Sequence, residues 1–144
     1  MHHSMEFAAK MASAYSATCK PLCQELKLPQ TALDILLFLA NNPDYKTASD
    51  IVEIRKIKAN LVSVNVEKLV KEGYLKREAA EGDRRKVLLL CTDRAMPVIR
   101  RGRALQQSFF ERLFTGTKEE TKKQFLEIIT LMGKNLDSML EGED

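Results

Sequence analysis

A chain of 144 residues with 44% apolar and 30% charged side chains has the length and balance of one globular domain, which excludes disordered, fibrous and membrane-embedded classes. The net charge of +3 is too mild to indicate nucleic acid by itself, but residues 45–92 hold eleven Lys/Arg against seven Asp/Glu while residues 117–144 hold four against seven. No apolar run reaches membrane-spanning length, and no signal peptide, internal repeat, linker or low-complexity stretch is visible, so a cytoplasmic, non-membrane protein is expected.

His2 and His3 stand at a terminus expected to fray, and are read as a leftover pair or as disordered rather than as a metal site. From Met5 to Leu26, Phe7, Met11, Tyr15, Thr18, Leu22 and Leu26 recur every three or four positions, which predicts one stripe of a long amphipathic helix. Pro21 inside it should bend the helix or remove a bond. Pro29 suits the first turn of a second helix. That helix is apolar on most sides through Leu33, Leu36, Leu37 and Ala40, and is therefore expected at the centre. Asn41-Asn42-Pro43-Asp44 ends it, and Tyr45-Lys46 is a candidate minimal strand.

Thr47 is placed to cap a short helix. The next segment, Ala59–Glu72, has a valine alternation that fits a strand, but Val62, Val66, Leu69 and Val70 also keep a 3.6 period. At this length, without a turn residue, helix is the better assignment, and Gly73 suits its left-handed stop. Its outward face would then carry Asn60, Val64, Glu67 and Lys71, with Ser63 and Lys68 beside it. Val64 is open to two readings, a stray surface valine or a contact for a thymine methyl. Strands are predicted over Tyr74–Glu78 and Lys86–Cys91 around a tip with Gly82. Helix, turn, helix and hairpin together predict a mainly α (α+β) winged helix-turn-helix.

Thr92-Asp93 is expected to cap a further helix reaching Leu113 or Phe114, with a shifted start or kink at Pro97. Thr117 and Glu120 form a candidate capping box for a last helix, with Phe125, Ile128, Ile129, Met132, Leu136, Met139 and Leu140 on one seam. The first helix and the last two carry more apolar stripe than a small reader can cover. A second copy of the chain is the natural cover.

The ordered set Leu69, Gly73, Leu75, Arg77, Asp83, Arg85 and Thr92, within LVKEGYLKRE and GDRRKVLLLCT, resembles the MarR family of bacterial transcription regulators. The order of flanking helices matches over nearly the whole chain. The resemblance implies a homodimer on a pseudo-palindromic double-stranded DNA operator, usually a repressor released by a small ligand or by oxidation. It divides the single domain 1–144 into a reader, 28–91, and a helical dimerisation part, 5–27 with 92–142. It also implies that Arg85 enters the minor groove, braced by Asp83. Family members frequently have arginine at the place of Val64, so a different operator is expected.

In the reader helix, Lys58, Asn60 and Ser63 are polar near the N-terminus where base edges are met, and Asn60 has the groups to pair with adenine. Arg55 and Lys56 in the turn, Lys68 and Arg84 are candidate phosphate contacts. Relatives commonly bind small aromatic or phenolic anions where dimer helices meet the reader, which would draw here on Tyr15, Phe38, Phe109 and Phe110; core filling is the competing role for each ring. Cys19 and Cys23 are four apart on one helix face, unsuited to a comfortable disulfide and without a third metal ligand. Peroxide-sensing relatives keep a cysteine near the start of the first helix, where this chain has Met5 and Phe7, and Cys91 takes the family's leucine position. Structural thiols are expected. No metal, cofactor or enzymatic activity is expected, since no internal histidine, phosphate loop or paired carboxylates occur. A winged-helix protein-interaction module without DNA binding and a thiol-based redox regulator are the competing functions.

Overall fold

The computed structural model describes residues 2–142, without the side chain of His2. The elements are α1 (His2–Leu26), α2 (Gln30–Asn41), α3 (Ala48–Arg55), α4 (Ala59–Lys71), β1 (Leu75–Ala80), β2 (Asp83–Cys91), a 3-10 turn (Asp93–Ala95), α5 (Met96–Leu113) and α6 (Glu119–Leu140). Residues up to Phe109 pack as one unit and those from Phe110 as a second, the boundary falling within α5. The fold is the mainly helical winged helix-turn-helix expected, with one two-stranded antiparallel sheet. No helix among the described residues is long and apolar enough to cross a membrane.

The apolar sequence of α2 has no side wide enough to face water, and Leu33, Ile35, Leu36 and Leu37 are fully enclosed. Around it close Cys19 and Leu22 of α1, Ile51 of α3, Val62, Val66 and Leu69 of α4, Leu75 and Leu89 of the sheet, and Val98 and Ile99 of α5. Each such aliphatic side chain contributes roughly 1.5–3 kcal/mol by leaving water. α5 approaches α2 closely because of Gly102, where an added Cβ would stand 2.6 Å from Leu37 Cδ2.

The helix ends follow from local chemistry. Thr47 and Asp50 form a reciprocal capping box: the Thr47 hydroxyl accepts from the Asp50 amide, and the Asp50 carboxylate accepts from the Thr47 amide, each at 3.1 Å. α4 ends in a paired motif in which the Gly73 amide donates to Val70 (3.0 Å) and the Tyr74 amide to Leu69 (2.9 Å), with Gly73 at φ +83°.

Several local expectations are corrected. α1 begins at His2, three residues before the predicted start at Met5; the His2 side chain lies outside the described residues. Pro29 is the cap before α2 and not its first helical residue, with extended ψ of 152°. Tyr45-Lys46 forms no strand; a single bond, from the Leu89 amide to the Lys46 carbonyl at 2.7 Å, is what remains of it. The Thr92 hydroxyl caps no helix, because it donates to the Gly73 carbonyl at 2.5 Å and so ties β2 to the end of α4. The shifted start at Pro97 is observed: the 3-10 turn comes first, and Pro97 falls in the first turn of α5, where its missing N–H costs nothing. Thr117 does not cap α6. Its amide closes a turn on Phe114 (2.9 Å) beside Gly116, and the helix starts only after Lys118.

Gly102→Ala should destabilise the fold. The gain in helix propensity is about 1 kcal/mol, while overpacking against the fully enclosed Leu37 costs about 1–3 kcal/mol. A net loss of about 1 kcal/mol is expected in urea denaturation; a net gain would mean that Leu37 moves aside freely.

Candidate nucleic-acid interface

α3 and α4 are joined by a turn in which Lys56 takes a left-handed conformation (φ +55°) and Lys58 an extended one before α4 begins. Burial of Val62, Val66 and Leu69 sets the rotation of α4. Asn60, Ser63, Val64, Glu67 and Lys71 are consequently exposed, Val64 at 67%, and Lys58 is exposed at the helix start. Asn65 turns inward, a position the periodicity did not single out, and its amide group donates to the Leu61 carbonyl at 2.8 Å. Leu61 is itself 45% exposed at the flank of this face.

Two candidate phosphate contacts have protein partners. Lys68 Nζ lies 3.0 Å from Glu72 Oε1 and borders a groove with Lys20, Lys27 and Leu28, on the side of α4 turned toward α1. Arg55 lies 3.8 Å from Asp34, whose carboxyl burial pushes above the usual range while Arg55 pulls it back. Lys56, Arg84 and Arg85 are exposed.

The hairpin explains how its basic tip is presented. The register runs regularly from Leu75↔Cys91 to Ala79↔Val87 and then jumps to Ala80↔Asp83. Arg84, Arg85 and Lys86 therefore have no partner across the ladder, as in a bulge that re-aims side chains. β2 thus begins at Asp83, three residues before the strand predicted from sequence. Asp83 does not brace the Arg85 guanidinium. Its carboxylate accepts the Arg85 backbone amide at 3.0 Å, a local turn bond that shapes the tip instead.

Sequence reasoning missed one contact on this face. Arg77 of β1 donates to the Glu67 carboxylate of α4 at 2.8 Å, joining the helix to the hairpin. Arg77 also borders a notch of about 570 Å³ with Val52, Val62, Ser63, Val66 and Val87. The two partners are ten residues apart and on different element types, so no periodicity could pair them.

Three of the candidate effector rings lie in the first unit and Phe110 in the second. Tyr15 meets Phe109 edge-on at 5.3 Å, and its hydroxyl accepts from Gln106 at 3.2 Å; burial raises its pKa to about 12. Phe38 stacks on Tyr45 at 6.0 Å. Phe110, in the second unit, packs on Phe114 at 4.9 Å with Lys122 over its ring.

Cys19, Cys23 and Cys91 are free thiols, and burial pushes all three above the ordinary range. No group of three metal-ligating side chains occurs among the described residues. A raised pKa leaves less thiolate at a given pH. At pH 8, alkylation of Cys23 and Cys91 should therefore be slower in native than in urea-unfolded protein, and the gap should narrow as pH rises. A cysteine labelled faster in the native state would mark a reactive thiol.

Comparison with known proteins adds three findings. The MarR family profile matches residues 26–86, which contain α2 to the wing tip and every candidate reader residue. The HTH-type transcriptional regulator BilQ of Clostridium symbiosum (strain WAL-14163) is 26% identical over 76 residues, so the chain spans about half the length of that curated relative (53% of each). Among solved structures, a MarR transcriptional regulator from Methanosarcina mazei Go1 superposes with a TM-score of 0.82 at 15% identity, covering 96% of this chain and 99% of that one. A putative MarR family regulator from Listeria monocytogenes, complexed with a 26mer DNA, gives 0.79 at 14% identity, covering 97% and 95%. At these identities the structures speak for the fold.

Proposed function

Because the chain belongs to the MarR family of transcription regulators, we propose that it is a homodimeric repressor that reads a pseudo-palindromic DNA operator in the cytoplasm. The observation that carries this reading is the coexistence, in one unit, of an exposed α4 face and a bulged hairpin on which Arg84, Arg85 and Lys86 are exposed. α4 enters the major groove, with Lys58, Asn60, Ser63 and Val64 toward the bases. A valine offers a methyl-sized apolar contact and no charge, which suits a thymine. Arg85 enters the minor groove, where a narrow A·T-rich stretch concentrates negative potential, and Arg84 and Lys56 meet phosphates. Arg55 has donors to spare for a phosphate beside its 3.8 Å contact with Asp34. The DNA-bound Listeria neighbour supports this use of the fold.

Dimerisation is supported by α6, none of whose residues is buried. Phe125, Ile128, Ile129, Met132, Leu136, Met139 and Leu140 are all exposed, Leu140 at 80%. In α1, Met5, Phe7 and Met11 are exposed too. Apolar surface on this scale is covered by a second copy in a stable protein. Residues 5–27 and 92–142 then serve the dimer, and 28–91 the DNA. Control by a small aromatic or phenolic effector belongs to the same reading. The Tyr15–Phe109 and Phe38–Tyr45 contacts would have to open, or a partner chain would have to supply part of the site.

Sedimentation at low micromolar concentration should show a dimer, and a monomer alone would remove the basis for paired half-sites about 10 bp apart. Selection from random duplex DNA should enrich such a palindrome. Against it, Arg85→Ala should lose about tenfold or more in affinity with the fold and dimer intact, and Asp83→Ala a smaller part by loosening the tip. Equal losses on selected and random DNA would reduce the wing to a basic patch. If nothing is enriched, a protein-binding role takes its place.

A further inference from the structure

Glu67 is anomalous in a face that meets DNA. It stands on the exposed side of α4 with Asn60, Val64 and Lys71, where a carboxylate opposes the phosphate field. Its placement is accounted for by Arg77, which it holds at 2.8 Å from the neighbouring strand. We infer that Glu67 is a positioning residue for the wing: its ion pair with Arg77 sets the angle between the reader helix and the hairpin, and so couples major-groove to minor-groove reading. The inference rests on the DNA-binding reading above.

The geometry favours this role over a mere surface pair. The hairpin root is fixed near Gly73 by the Thr92 hydroxyl and by burial of Leu75 and Leu89. Beyond the root, Val87 is exposed, and the notch it borders with Val62 and Val66 is unfilled on its outer side. Arg77 stands at the border of that notch and bridges from β1 to α4 with a charge-assisted bond. A strand of six residues is about 20 Å long, so a pivot of about 10° at its root moves the tip by roughly 3.5 Å. The minor groove is only about 6 Å wide, and such a shift is enough to misplace the Arg85 guanidinium. An exposed ion pair contributes little to folding stability, so its effect should appear in the aim of the wing and not in the melting temperature.

The sign of one substitution tests this. Glu67→Gln removes a negative charge from the DNA face and frees a cation, so simple electrostatics requires tighter binding to any DNA. Positioning requires the opposite on the selected duplex: a loss of about fivefold, with random duplex unchanged or slightly tighter. Arg77→Gln should lose a similar factor on the selected duplex, and the exchange Glu67→Arg with Arg77→Glu should recover most of it. In an Arg85→Ala background, Glu67→Gln should cost nothing further, because the wing no longer reads. Circular dichroism melts and sedimentation of each variant should match the native protein. The inference is overturned if Glu67→Gln tightens selected and random DNA alike, or if its full cost persists without Arg85, which would make Glu67 a direct base contact. A native protein that enriches no duplex overturns the DNA-binding reading itself, before any variant is compared.

Discussion

Burying α2 is the constraint from which the first unit follows. Twelve residues with Leu33, Ile35, Leu36 and Leu37 fully enclosed cannot be hidden by one neighbour, so helices and the sheet must surround them. α4 offers Val62, Val66 and Leu69 to that core, and this commitment rotates its other side, with Val64 at the centre, into the open. The exposed face of α4 is thus a by-product of core packing, and substitutions there leave the core untouched. Asp34 is the exception on α2: a largely buried carboxylate whose burial disfavours its charge and whose nearest cation, Arg55, sits at the end of α3. It makes Arg55 a shared resource between the core and the surface.

The wing is held by a different kind of interaction. Gly73, at φ +83°, turns the chain out of α4 with both orphan carbonyls satisfied, and the Thr92 hydroxyl closes the far end of the hairpin on the same residue. The root of the hairpin is therefore rigid on its inner side, and the outer side depends on Glu67 and Arg77. A root packed against the core and an ion pair from β1 to α4 make an arrangement in which the pose of the hairpin and the stability of the core rest on separate residues.

How far this was legible in the sequence depended on the range of the interaction. Amphipathic period placed α1, α4 and α6, and the Thr47 cap and the stop at Gly73 were readable because caps act over three or four residues, although the return bond from Asp50 was not foreseen. Pro97 announced the delayed start of α5 for the same reason. Thr92 and Thr117 looked like caps of the same kind. One was drawn to a carbonyl nineteen residues away, and the other was held in the turn beside Gly116. The candidate reader residues Asn60 and Val64 could be placed on one face, with Ser63 beside it, from the helical period alone. The register jump at Ala79/Ala80, the pairing of Lys68 with Glu72 rather than an outward pose, and the Glu67–Arg77 strut are set by cross-strand and helix–sheet geometry. The candidate effector rings show the same limit: composition names aromatics, but only packing tells which of them already face each other.

The register jump also bears on how the protein avoids sticking to itself. A two-stranded sheet has an open edge on each side, and such an edge is a template for a strand from another molecule. Leu89 spends its amide on Lys46, which interrupts the β2 edge near the root. Farther out, the departure of Arg84, Arg85 and Lys86 from regular pairing breaks the flat run of donors and acceptors and surrounds it with like charge. An incoming strand would find neither register nor a neutral surface there. The distortion that presents cations at the tip thereby also disfavours edge-to-edge pairing of one hairpin with another.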